Sequence, residues 1–150
     1  MSSSFKNQEE IPRPKVVEVE VPQVMQLGEY EDVIAISTRY DDRRYSNVPY
    51  VIGTLAHGAA SYSWGYVGSG PLDFATNILF HFTNHDLVVT TAFRNAFCAE
   101  FLVPMPRPGG RIPKEFVFDF IEKMKVTKPE LLEKAKKDLG LIKVQGPSGP

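Results

Sequence analysis

The stretch Ser63 to Ala75, SWGYVGSGPLDFA, decides how the chain is read. Glycines at 65, 68 and 70 lead into Pro71 and an apolar run. Such an arrangement serves either a phosphate-cradling loop or the turn that starts a helix. The residues favour the turn. A Walker loop needs GxxxxGK[ST], and Pro71 and Leu72 stand where Lys and Ser/Thr would be. The dinucleotide fingerprint fails too, because the order Gly65-x-x-Gly68-x-Gly70 is reversed. Pro71 deletes a backbone donor, and Asp73, expected in the first turn, compensates the helix dipole and repels a phosphate. Ser69 or Gly70 is the expected cap and Pro71 the expected first helical residue. The stretch also carries a recognition reading, since aromatic side chains beside a glycine loop are a common binding arrangement. On that reading Trp64, Tyr66, Gly68, Ser69, Gly70 and Asp73 are the candidate binding residues.

Working outward, Leu72, Ala75, Ile78, Leu79 and Phe82 recur at three- and four-residue spacings, which predicts a helix apolar over most of its circumference. Its narrow polar stripe is Asp73, Asn77, His81 and Asn84. Asn84 or Asp86 is placed to cap a second helix carrying Val89, Ala92, Phe93, Ala96 and Phe97. Phe101-Leu102-Val103 reads as a short strand and Pro104 to Gly110 as a loop. Pro113 suits a first helical turn, with Phe116, Val117, Phe120, Ile121 and Met124 on one face. Thr127-Lys128-Pro129-Glu130 has the form of a capping box, and Gly140 that of a terminator, for a helix over 128–139.

Toward the N-terminus the period changes. Val17-Glu18-Val19-Glu20-Val21 alternates as a half-buried strand does. Val33 to Ser37 reads as a more buried strand and Tyr50 to Leu55 as a third, with Asp41 to Asn47 turn-like between them. Strands first and helices afterwards predict an α+β fold: a small, mostly antiparallel sheet from the N-terminal half, with helices from about residue 71 onward packed on one face. Residues 1–14 are expected to form an arm, 15–142 a single domain, and 143–150 a tail rich in Gly and Pro.

Composition narrows the function classes. A chain of 150 residues with 43% hydrophobic content can bury a core without staples. Lys and Arg number 17 against 18 Asp and Glu, so the basic excess expected of a protein that binds nucleic acid through its phosphates is missing, and no nucleic-acid partner is expected. The cluster Asp41-Asp42-Arg43-Arg44 neutralises itself. The single Cys98 can form no intramolecular disulfide and, among Phe97, Ala99 and Phe101, is expected to be buried and inert. MSSSFKNQEE has no apolar targeting core, and no run approaches the roughly 20 apolar residues of a membrane span. No membrane role is expected.

His81 and His85 stand four apart, the spacing of two zinc ligands on a continuing helix. The HExxH glutamate is missing, and a third ligand would have to come from Asp86, His57 or Cys98. The competing reading puts His81 in the polar stripe and His85 at the helix end. No local Ser-His-Asp, Cys-His or paired-carboxylate arrangement points to catalysis, so no cofactor is expected.

Tyr62 to Leu79, YSWGYVGSGPLDFATNIL, resembles an uncharacterised domain family of phages, plasmids and other mobile bacterial elements. That family is built around an aromatic-Trp-Gly-Tyr-Gly-Gly-Ser-Gly-Pro-Ala core and a helix rich in Ala and Leu. The likeness reaches Arg44-Tyr45 at the start of a β region, then Ala92 to Phe97 and Pro113 to Ile121, so that it covers about Arg39 to Lys125. Val67 replaces a usual glycine, and Leu72-Asp73 departs from the usual neutral pair. The resemblance implies a phage or mobile-element accessory protein in a bacterial cytoplasm. The expected role is non-enzymatic binding of a host or phage protein through the Trp64 to Asp73 edge or through the terminal segments, with oligomer formation open. The alternatives are a structural component of the virion, and a small-molecule or metal-dependent binder or hydrolase using the glycine-rich loop.

Overall fold

A computed structural model of the chain describes residues 30–38, 43–53 and 62–141. The expected arm, the Val17 to Val21 strand and the Gly/Pro tail lie outside the described residues. β1 (Val33–Ser37) is flanked by β2 (Arg44–Ser46) and β3 (Gly109–Ile112) in an antiparallel sheet of order β2-β1-β3. Ala35 pairs with both Ser46 and Gly110, and Val33 with Ile112. Opposed residues share a face, so Val33, Ala35 and Ile112 line the core side.

Four helices follow: α1 (Ser69–Phe82), α2 (Leu87–Phe97), α3 (Lys114–Thr127) and α4 (Pro129–Asp138). The architecture is α+β, a small antiparallel sheet with helices after it, as the order of sequence patterns predicts. α1 is central. Phe74, Ala75, Ile78 and Leu79 are fully buried, and Phe74 stacks on Tyr62 at 4.5 Å between ring centroids. Tyr30 leads into β1 and stacks on Phe82 at 4.8 Å, tying the sheet to the end of α1. Asp86 caps α2, its side chain accepting from the Val89 amide at 3.1 Å.

Several expectations are corrected. Tyr50 to Gly53 forms no strand; its polar backbone is taken up by the Asn77 side chain, which accepts from the Val51 and Ile52 amides and donates to the Ile52 carbonyl. Thr54 and Leu55 lie outside the described residues. Arg44 to Ser46, read from its residues as turn, is β2 and pairs with β1. Phe101 and Leu102 are not a strand either. α2 runs on into a π-helical turn, Cys98–Leu102, closed by the Val103 amide donating to the Cys98 carbonyl at 2.9 Å. Pro104 then stops it, and Phe101 packs on Phe97 and Phe120.

Gly109 and Gly110 belong to β3 rather than to the preceding loop. Gly109 holds a φ of 110°, and a Cβ there would collide with the carbonyl of Ala35, so this close strand approach needs glycine. The capping box is not formed: α3 includes Thr127, whose hydroxyl donates back to the Lys123 carbonyl. Phe116 is exposed rather than part of the buried face of α3. α4 ends at Gly140 as read, the Leu141 amide bonding back to the Lys136 carbonyl at 2.8 Å.

α3 is capped from a distance. Pro113 has no amide to offer, and the Asp32 carboxylate accepts from the Lys114 amide at 2.9 Å while pairing with Arg111. Those contacts, the Lys114 amide first and the Arg111 guanidinium after it, hold the Asp32 carboxyl below its usual range. A shallow polar cleft of about 610 Å³ opens there between Tyr30 to Asp32 and Arg111 to Glu115. Its charges serve the joint between sheet and helix.

Candidate functional site

The loop from Tyr62 to Gly68 is built outward from buried aromatics. Tyr62 is buried against Phe74, and its hydroxyl donates to the Pro49 carbonyl at 3.1 Å. Burial raises its phenol far above the ordinary value, with Tyr50 and Asp73 adding to the effect. Trp64 is only 1% exposed, its ring nitrogen donating to the Arg107 carbonyl at 3.0 Å. Arg44 lies over the Trp64 ring, 4.8 Å from its centroid, and donates to the Trp64 carbonyl. Next in the chain, the Gly65 amide donates to the Leu102 carbonyl, which sits in the π-helical turn. The turn therefore props the loop as well as ending α2.

Above this base the chain projects. The Tyr66 hydroxyl and Ser63 Oγ share a hydrogen bond at 2.6 Å, and the Tyr66 ring lies across Gly68. A Cβ at 68 would come within 2.6 Å of the ring carbon Cε2, so the glycine makes room for the tyrosine. Tyr66 remains 49% exposed and Val67, at the tip, 84%. Ser69 is exposed and begins α1. Gly68 stands at the cap position, without a side-chain cap, where Ser69 or Gly70 was expected.

The structure divides the sequence-derived set. Tyr66, Gly68 and Ser69 meet at the projecting loop. Trp64, exposed on the recognition reading and packed on the structural one, is core, and Gly70 is buried. Asp73 is not a first-turn residue at the surface: it is buried on the fifth position of α1 and accepts from the Tyr50 hydroxyl at 3.0 Å. Val67 is the residue that sequence reasoning passed over. Its signal was an aliphatic side chain at the middle of a glycine-rich loop, with Gly65 and Gly68 close on either side of the Tyr66-Val67 pair.

His81 and His85 do not share a helical face. α1 ends at Phe82, and both Asn84 and His85 are left-handed, with φ of 55° and 70°. His85 stacks flat on Phe80 at 4.4 Å, whereas His81 meets the edges of Tyr30 and Phe82. Burial, and then the neighbouring His85, keeps the His81 imidazole below its ordinary value. Among the described residues no three His, Cys, Asp or Glu side chains are grouped to hold a metal; His57 lies outside them. Cys98 is buried, and that burial pushes its thiol up, away from a reactive thiolate.

The arrangement defines a small α+β domain displaying one braced loop. Residues 34–123 match a family of unknown function (DUF6166), and the chain belongs to that family. No curated protein and no solved structure matches the chain. Among the described residues no helix is long and apolar enough to cross a membrane.

Proposed function

We propose that the protein is a non-enzymatic accessory protein of a phage or mobile element, which binds a host or phage protein in the bacterial cytoplasm through the tip of the Gly65 to Ser69 loop. One observation carries this reading: an exposed Tyr66 and Val67 are held on a base of buried aromatics and backbone hydrogen bonds. A braced loop with an aromatic and an aliphatic side chain at its tip loses little conformational freedom on binding, which favours affinity. The tip supplies apolar contact and a phenol, and its five residues contain no carboxylate, imidazole, amine or thiol. That chemistry suits a partner's surface better than bond-making. The resemblance to mobile-element proteins supports the setting, and Val67 in place of a usual glycine makes the apolar tip a feature of this chain.

The test is capture from lysate of candidate host cells with three immobilised proteins: wild type, Tyr66→Ala and Val67→Asp. A protein retained by wild type and lost on both variants, with unchanged circular dichroism, is the expected result. The same protein retained equally by Val67→Asp refutes the tip as the binding site.

A further inference from the structure

Arg94 is the one charged side chain of α2, a helix without a carboxylate. Elsewhere in the fold guanidinium groups are engaged by their neighbours, Arg44 by Trp64 and Arg111 by Asp32. Among the described residues the Arg94 side chain finds neither a hydrogen bond nor an ion pair. Its Nε is buried without an acceptor, whereas its two Nη atoms stay open to solvent. Burying a donor without a partner is costly, and folded proteins rarely do it. The helix dipole does not account for the residue either. α2 runs on through the π-helical turn to Leu102, so Arg94 stands about two turns short of the end, out of reach of the terminal carbonyls.

Two further polar side chains share this side of the helix. Thr91 stands three positions before Arg94 and four before Asn95, the spacings that bring helical side chains together. Neither the Thr91 hydroxyl nor the Asn95 carboxamide makes a hydrogen bond among the described residues. We propose that Thr91, Arg94 and Asn95 form a binding point for a carboxylate group. The guanidinium fork matches the two oxygens of a carboxylate, and the hydroxyl and carboxamide add donors beside it. One positive charge balances one negative charge, which favours a carboxylate over a doubly charged phosphate. The buried Nε holds the fork in a fixed direction, so little side-chain freedom is lost on binding. The site is separate from the Gly65 to Ser69 tip and does not rest on the loop reading.

The experiment titrates the purified full chain with sodium acetate, with sodium chloride holding the ionic strength constant. NMR follows the Asn95 side-chain amide and the Arg94 Nε–H, whose burial slows its exchange with water. Both signals should shift and saturate, with half-saturation on the order of 30 mM, as one charge-assisted contact supports. Arg94→Lys keeps the charge but loses the fork, and is expected to raise that concentration about tenfold with an unchanged circular dichroism spectrum. A shift that never saturates, or the same curve in Arg94→Lys, overturns the proposal. Inorganic phosphate bound more tightly than acetate overturns the choice of a carboxylate. If Arg94→Lys does not fold, Asn95→Ala, at an exposed position, takes its place and must also weaken acetate binding.

Discussion

Asn47 and Asn77 each use one side-chain amide to serve the backbone of a neighbouring segment. Asn47 accepts from the Ile34 amide and donates to the Asp32 carbonyl, carrying the sheet's hydrogen bonding one residue past β2. Asn77, only 1% exposed on α1, does the same for Val51 and Ile52 and also donates to the Asp73 carbonyl. This is why Tyr50 to Gly53 looks like a strand in sequence and is none in space: the partner of its backbone groups is a helix side chain, and the chain bends at Ile52. No periodicity reveals such a substitution. Asn77→Ala is expected to cost about 2 kcal/mol, since buried polar groups lose partners and water replaces them incompletely. Urea denaturation would read the loss, and faster exchange of the Val51 and Ile52 amides would locate it.

At the scale of elements, the legible parts are those fixed by local chemistry. Val33 to Ser37, the apolar run of α1, the Asp86 cap and the Gly140 stop follow from side-chain period and capping chemistry over a few residues. Asp86→Ala should lower stability by about 1 kcal/mol, a shift that thermal unfolding detects. The parts that were not legible depend on distant partners. α3 is capped by Asp32, 82 positions earlier in the chain, and Thr127 finishes α3 instead of starting α4. The π-helical turn wins over a Phe101 to Val103 strand because aromatic packing of Phe101 on Phe97 and Phe120 rewards continued helix. The candidate site shows the same division. Tyr66 and the glycines could be singled out locally, but the burial of Trp64 and Asp73 depends on Arg107, Arg44 and Tyr50, which no spacing brings together.

For the whole molecule, acid sensitivity follows from His81. Its imidazole has an ordinary value of 6.5 and is held lower in the fold, by burial first and by His85 second. The neutral ring is the folded form, so its contribution is complete above 6.5 and is lost as pH falls from there through the lowered folded value. Melting temperature should therefore fall as pH drops below about 6.5, and His81→Phe should flatten that fall. An unchanged slope in the variant would assign the sensitivity to other groups.

The central claim is that one loop divides into an anchor that folds the domain and a tip left free for a partner. Thermal unfolding of Trp64→Ala beside Val67→Asp tests it most directly. Truncating a buried tryptophan should cost about 3–5 kcal/mol, which lowers melting by roughly 10 °C in a domain of this size. Val67→Asp, at an exposed position, should stay within about 0.5 kcal/mol of wild type. If Val67→Asp melts as early as Trp64→Ala, the tip is part of the core and the division fails. If Trp64→Ala melts with wild type, the anchor is not one.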